Sequence, residues 1–197
     1  MNKEYQKLIE FLIYSEKLKT EPRHAHKSDG QYESAAEHSW RLSLMVMLVA
    51  PKLQKKLDLL KAIKMTTIHD IAEIDFRDIP VLEHINDDSK KELKDTEEEK
   101  AIENIGKMLG DANEISELWY EYLAAETYEA KIVRVLNMIE GQLQFLSEDV
   151  KKFSNDEQIL VEKLVSKTRE LSKIDLFIEE LYFSCGDLFK ERTRIKK

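Results

Sequence analysis

Turn-forming residues and cysteine are scarce in this sequence. Its 197 residues include five glycines, three prolines (Pro22, Pro51 and Pro80) and one cysteine, Cys185. So few turn formers exclude a many-stranded fold, which needs a turn about every ten residues, and favour long helices. A lone cysteine forms no intramolecular disulfide, and no charged, apolar, small-residue leader opens the chain, so the expected setting is a reducing cytoplasm. Long apolar runs are missing too. The strongest, LSLMVMLVA at 42–50, is bounded by Arg41 and Lys52 and falls well short of the roughly 18 residues that span a bilayer. This excludes membrane insertion from the reading.

What the sequence has in abundance is charge. Charged residues make up 36% of the chain and the formal net charge is -8, a summed field that disfavours polyanions such as duplex nucleic acid. A phosphorylated substrate would need local help from a metal ion, from Arg23, Arg41 or Arg77, or from the basic tail 190–197, which otherwise reads as a solvated end.

Apolar residues recur at helical spacing along most of the length. Leu8, Ile9, Phe11, Leu12 and Leu18 mark a first helix ending before Pro22, and 20–33 reads as a loop. Ser34 with Glu37 has the spacing of a capping box, in which the serine side chain takes an amide of the first turn and the glutamate reaches back, opening a helix to about residue 50. Beyond Pro51, helical patterning resumes through Leu59, Leu60, Ile63, Ile68, Ile71 and Ala72 and stops by Pro80. Ser89 with Glu92 opens a charged helix that ends near Gly110. A short helix at 113–124 precedes one capped by Thr127, with Ile132, Val133, Leu136, Ile139 and Leu143 as its buried stripe. Ser154 with Glu157 opens the last, which carries Leu160 to Leu181. No repeat or linker divides the chain, and roughly 100–200 residues is the usual size of one domain. The expected architecture is all-α, a single globular bundle of six or seven helices.

Chemistry enters at His69-Asp70, two ionisable residues in the otherwise apolar stretch TTIHDIAEI. Such groups are buried cheaply only when paired or liganded. Glu73 lies at i+4 from His69 and i+3 from Asp70 in the expected helix, so all three side chains are expected on one face. One imidazole and two carboxylates suit a divalent cation, one carboxylate ligating while the other handles a proton. His38, in the first turn of its own helix, is the second imidazole, with Arg41 one turn further on the same face.

Other residues have plainer readings. Trp40 and Trp119 are expected in the core rather than stacked on a base, and Met45, Met47 and Met65 as gap-fillers. His26 and His84 are expected in solvent, Lys131 and Arg134 on an exposed helix edge. Cys185, beside Ser184, Gly186 and Asp187, lacks the basic surroundings of a tuned nucleophile.

Taken together, Pro22-Arg23, ESAAEHSWRLSLM at 33–45, HDIAEIDFRDIP at 69–80 and LWYEYLAAETYEAKIVRVLNMIEGQLQ at 118–144 resemble the HD-domain phosphohydrolases, specifically the 5'-deoxynucleotidase subfamily. The resemblance runs from about residue 8 to 150. It implies one HD domain over 1–197, with core motifs at 20–150 and a C-terminal helical extension at 154–197. It also implies one divalent ion (Mn, Co, Mg, Fe, Ni or Zn) and hydrolysis of a nucleoside 5'-monophosphate, a small-molecule substrate. By position, His38, His69 and Asp70 match metal ligands and Glu73 the residue that activates or positions water. Asp78 matches an aspartate that contacts the sugar or assists proton transfer, and Arg23 the phosphate-gripping arginine. Homodimers are common in the family, and the apolar LFIEELYF at 176–183 offers a surface for one, although such a helix more often completes its own core.

The chain departs from the family pattern in places. Where the family has a fourth ligand, an aspartate in a helix reading roughly LDxxE, this chain has Leu136-Asn137-Met138-Ile139-Glu140. Asn137 offers a carbonyl oxygen without negative charge, so metal affinity is expected to fall. His24 stands where an aromatic residue is usual, and Arg77 where glycine is common, either adding a phosphate contact or narrowing the pocket. Two alternatives stay open: a degenerate HD-fold protein that binds nucleotide or metal without turnover, and an HD phosphohydrolase with another nucleotide substrate. The alarmone hydrolases that resemble this motif place Glu and Asp side by side after HD, whereas here Ile74 separates Glu73 from Asp75, which weakens that substrate.

Overall fold

Asn2 accepts the Glu4 amide and starts α1, Lys3–Ser15, which a 3-10 turn at Glu16–Lys19 extends. The computed structural model describes residues 2–76, 88–110, 113–147, 165–166 and 168–194. The segment expected as a loop is instead an antiparallel hairpin of β1, Pro22–His26, and β2, Tyr32–Ser34, paired Pro22 to Ser34 and His26 to Tyr32 with an irregularity between. Its turn depends on Gly30, whose φ of +84° suits a residue without a Cβ. The strands are too short to show alternation in the sequence. His26 stacks on Tyr32 at 4.4 Å between ring centroids and is only partly exposed, not the solvated residue expected.

β2 runs straight into α2, Ala35–Val49, through Ser34, whose side chain accepts the Glu37 amide while the Glu37 carboxylate accepts the Ser34 amide. The capping box read from sequence is therefore present. Ala35, His38, Leu42, Met45, Val46 and Val49 form the buried stripe of α2, so the apolar period that buries Leu42 also drives His38 inward. Trp40 lies two residues from His38, about 200° around the helix, and is 67% exposed. The core role expected for it does not hold. With Leu44, Met47 and Leu48 it forms a second, outward apolar stripe. Trp119, Met45 and Met65 are buried as expected, and Met47 is not.

The next helix is shorter than its apolar pattern implies. α3 spans Leu59–Ile68, His69 is its C-cap, and a 3-10 turn covers Ile71–Ile74. The Thr66 carbonyl, which a continuing helix would offer to the Asp70 amide, accepts His69 Nδ1–H at 2.9 Å. A side chain thus takes the acceptor that the helix would have used for its next turn.

α4, Asp88–Leu109, ends before Gly110, which has φ +111°. α5 spans Glu114–Ala124 and α6 Tyr128–Ser147, whose Ala130 amide bonds to Thr127 as the capping expectation required. The last helix is broken: Asp175 accepts the Phe177 and Gln54 amides and begins α7, Leu176–Arg194. The proposed Ser154 cap lies outside the described residues.

Leu42, Met65, Ile102, Ile105, Ile132, Leu136, Ile139 and Ile178, from α2, α3, α4, α6 and α7, are all fully buried. α6 touches α2, α3, α5, α7 and β1, and its central place is what brings Asn137 and Glu140 to the histidines. Ile178, Tyr182 and Cys185 of α7 are buried, so this helix does complete the core. Among the described residues no helix is long and apolar enough to cross a membrane.

Truncation should separate the two faces of α2. Leu42→Ala is expected to cost about 2–5 kcal/mol by transfer and cavity terms, whereas Trp40→Ala should change stability by about 0.5 kcal/mol or less, both read from urea denaturation followed by circular dichroism.

Candidate metal centre

His38 from α2, His69 and Asp70 from the end of α3 and Asn137 from α6 converge in the interior. The side chains of both histidines are fully buried, and that of Asp70 is 14% exposed. The two imidazole centroids lie 5.3 Å apart, and the Tyr122 ring meets His69 edge-on at 5.4 Å. Asp70 Oδ2 is 3.2 Å from His69 Nε2 and 3.9 Å from His38 Nε2. Asn137 Oδ1 is 2.9 Å from His38 Nε2.

His38 Nε2 and Asn137 Oδ1 are within hydrogen-bond distance, and Asp70 Oδ2 faces the Nε2 atoms of both histidines. His69 Nδ1 donates to the Thr66 carbonyl, and its buried Nε2 has no hydrogen-bond partner. Burial pushes the His38 imidazole below its ordinary value, helped by the positive charge of Arg23 and opposed by Glu140. Burial would also raise Asp70, but the neighbouring His69 and Arg23 outweigh it and hold the carboxyl well below the usual carboxylate range. A cation relieves such an arrangement. Donors bound to one ion at about 2.1 Å stand about 3 Å apart when they subtend a right angle, which is close to the separations seen. His38, His69 and Asp70 each offer a ligand atom within 4.8 Å of the others, and the residues present therefore fit a divalent ion.

Asn137 is held in register by a residue that no metal-ligand pattern marks. Its Nδ2 donates to Tyr122 Oη at 2.8 Å, which turns Oδ1 toward His38. Burial, and then the nearby Asp70, push the Tyr122 hydroxyl up to about 12, so it stays protonated.

Around this group runs a closed ring of alternating charge. Asp70 Oδ2 accepts from Arg23 at 3.0 Å, Arg23 Nε lies 3.6 Å from Glu33, and Glu33 lies 3.5 Å from Arg41. Arg41 Nε donates to Glu140 Oε1 at 2.5 Å, and Glu140 Oε2 lies 2.5 Å from His38 Nδ1. Burial opposes ionisation of Glu140, but the His38 contact and the Arg41 charge prevail and lower its pKa. Glu33 goes the other way, raised to about 7 by burial and by the Glu140 charge despite both arginines.

The sequence-derived site residues fare unequally. Arg23, His38, His69, Asp70 and Asn137 meet. Glu73 is buried in the 3-10 turn, its amide bonded to the Asp70 carbonyl at 3.0 Å, yet it does not share a helical face with His69 and Asp70 because α3 has already ended. Arg77, Asp78 and the side chain of His24 lie outside the described residues. Arg134 stacks over Tyr122 and donates to the Leu123 carbonyl. Sequence reasoning misses Glu33, Tyr122 and Glu140. For Glu140 the signal exists: a carboxylate between Ile139 and Leu143 on a buried stripe poses the same question as His69-Asp70. Glu33 and Tyr122 carry no comparable signal, since a glutamate in a presumed loop and a tyrosine on a helix are ordinary.

The arrangement defines a class, a helical scaffold in which two buried histidines and an aspartate could hold a metal ion, and sequence comparison names it. A family model described as "HD domain" matches residues 15–175. The chain belongs to the HD-domain family. It is 32% identical over 143 residues to the 5'-deoxynucleotidase HDDC2 of Xenopus laevis, covering 71% of this chain and 68% of the relative. Identity is 30% over 161 residues, 77% of each chain, with the 5'-deoxynucleotidase hdd1 of Schizosaccharomyces pombe. Among solved structures, a predicted metal-dependent phosphohydrolase from Magnetospirillum magnetotacticum superposes with a TM-score of 0.79 at 26% identity, over 96% of this chain and 93% of that one. The PH0347 protein of Pyrococcus horikoshii gives 0.72 at 26% identity, over 91% and 99% respectively.

The state of Glu33 should be visible in stability. Its folded pKa is raised, so the stability from its protonated form is complete below the ordinary carboxylate value of 4.5 and is lost as pH climbs to about 7. Thermal melts across that window should fall more steeply for the wild type than for Glu33→Gln, which cannot ionise.

Proposed function

We propose that this chain is a metal-dependent phosphohydrolase that removes phosphate from nucleoside 5'-monophosphates, with 2'-deoxyribonucleosides as the preferred class. The observation that carries the reading is the convergence of His38, His69 and Asp70, whose ligand atoms lie within 4.8 Å of one another, with Asn137 Oδ1 beside them. The deoxynucleotidase relatives support the substrate class, and the phosphohydrolase neighbour supports metal dependence.

The assigned roles follow from position and chemistry. A divalent ion, when bound, would lower the pKa of a water and polarise a phosphoryl oxygen. His38, His69 and Asp70 would hold it, with the Asn137 carbonyl oxygen as a further donor. Arg23, whose guanidinium stands at the edge of this group on Asp70, presents further N–H donors to the phosphate. Glu73, one 3-10 turn from Asp70, takes or orients the proton of the attacking water, and attack in line expels the nucleoside 5'-oxygen. Asp78 is assigned to the sugar or to proton transfer, and Arg77 to the phosphate. A homodimer belongs to the same proposal, and light scattering of the purified protein measures it.

One observation favours a second reading, a protein that binds nucleotide or metal without turnover. Asn137 leaves Asp70 as the single anionic member of the ligand set, and hard or borderline ions prefer anionic oxygen.

A phosphatase panel over nucleoside monophosphates with Mn²⁺, Co²⁺ or Mg²⁺ decides between them. Under the enzymatic reading the wild type releases phosphate and Glu73→Gln loses at least about a hundredfold, the scale of general acid-base catalysis; equal rates would remove Glu73 from its role. Asn137→Asp should tighten metal binding by about tenfold or more. If phosphate release appears only in that variant, the non-catalytic reading stands.

A further inference from the structure

We propose that Tyr122, seated by Arg134, is the positioning residue for Asn137, and that this pair lets a neutral amide serve at a place where one oxygen must face a cation. The ligand role of Asn137 rests on the reading above; the seating of its amide does not.

Tyr122 belongs to α5, which packs on α6, and Arg134 and Asn137 lie three residues apart on one face of α6. The Tyr122 side chain spans the distance between them. At one end the Arg134 guanidinium carbon stands 5.7 Å from the ring centroid, within cation–π range. Arg134 also donates to the carbonyl of Leu123 at 2.8 Å, so the cation over the ring is tied to the backbone beside it. At the other end Tyr122 Oη accepts from Asn137 Nδ2 at 2.8 Å. The ring meanwhile meets His69 edge-on at 5.4 Å. One side chain thus touches two of the four residues that converge on the candidate centre, His69 through its ring and Asn137 through its hydroxyl.

The residue type at 137 gives the second contact its weight. A carboxylate offers an acceptor oxygen whichever way it is turned. An amide has one acceptor oxygen and two N–H donors, and turned over it would aim hydrogens at a cation. With Oδ1 on the His38 side, 2.9 Å from Nε2, the Nδ2 hydrogens need an acceptor on the other side, and the Tyr122 oxygen is that acceptor. Phenylalanine keeps the ring against His69 and beneath Arg134 but accepts nothing, so Tyr122→Phe isolates the hydroxyl. It would leave a partly buried N–H without its partner whenever Oδ1 faces the site.

NMR of metal-free protein tests the seating without a cation. One Asn137 side-chain N–H should exchange slowly with water in the wild type and about tenfold faster in Tyr122→Phe. Arg134→Lys, which keeps a cation over the ring, should stay near the wild type, and Arg134→Met should move toward Tyr122→Phe. Co²⁺ binding by calorimetry should weaken about 10–100-fold in Tyr122→Phe. Made in an Asn137→Ala background, the same substitution should change Co²⁺ affinity by less than about twofold, because the coupling it removes is already gone. A merely structural Tyr122 predicts equal losses in both backgrounds, and that result overturns the proposal. A rapidly exchanging Asn137 amide in the wild type overturns it even if no variant folds, as does an unchanged amide in Tyr122→Phe. An Arg134→Met protein identical to the wild type in both readouts strikes Arg134 from the seating. If the amide follows the expected series while the wild type takes up no Co²⁺, the seating stands and the metal reading fails.

Discussion

The structure depends on burying ionisable groups that water would otherwise solvate. Asp70, Arg23, Glu33, Arg41, Glu140 and His38 close into a ring in which every charge faces the opposite sign or a neutral imidazole. Isolated charges in such an interior would cost several kcal/mol each, and the loss of one member strands its neighbours. The ring is therefore weak evidence for stability and strong evidence for position. It ties the hairpin, α2, the end of α3 and α6 to one another at the point where the donor atoms meet, and each tie is directional.

Two devices turn generic helices into a site. At the end of α3, the His69 side chain caps its own helix through the Thr66 carbonyl, and the same bond aims Nε2 inward. At α6, Tyr122 fixes the Asn137 amide so that oxygen, not nitrogen, faces His38. In both cases one hydrogen bond sets an orientation and thereby which lone pair is presented, the usual way in which outer partners tune a metal ligand. Asn137 lowers the negative charge that the donor set brings, while the neighbouring Arg23 and Arg41 add positive charge. On the function proposed above, that balance would favour a phosphate dianion and loosen the hold on a divalent ion.

Much of this is legible in the amino-acid sequence. The all-α class, the Ser34 capping box and the buried stripes of α2 and α6 follow from local spacing, and the family resemblance of the motifs implies that His38 meets His69-Asp70. The rule that buried ionisable groups need partners, applied to Glu140 on the α6 stripe, points to a buried acid in search of a base. Other features are not legible. The hairpin at 22–34 is too short for an alternating pattern to stand out. Glu73 shares a face with His69 only if the helix runs on past His69, and a side chain ends it there. Trp40 is as apolar as its neighbours, and nothing local says that α2 has two apolar faces of which one finds no cover among the described residues.

The division has a physical basis. Helix periodicity and capping act over three or four residues, so the sequence alone determined where helices form, which face of each is apolar and which polar residues sit on that face. The pairings of His38 with Asn137 and of Arg41 with Glu140 each span 99 residues. Only the packing of α6 against α2, with the hairpin laid across both, decided which buried acid meets which base, because those contacts depend on crossing geometry and side-chain volume that no local pattern encodes.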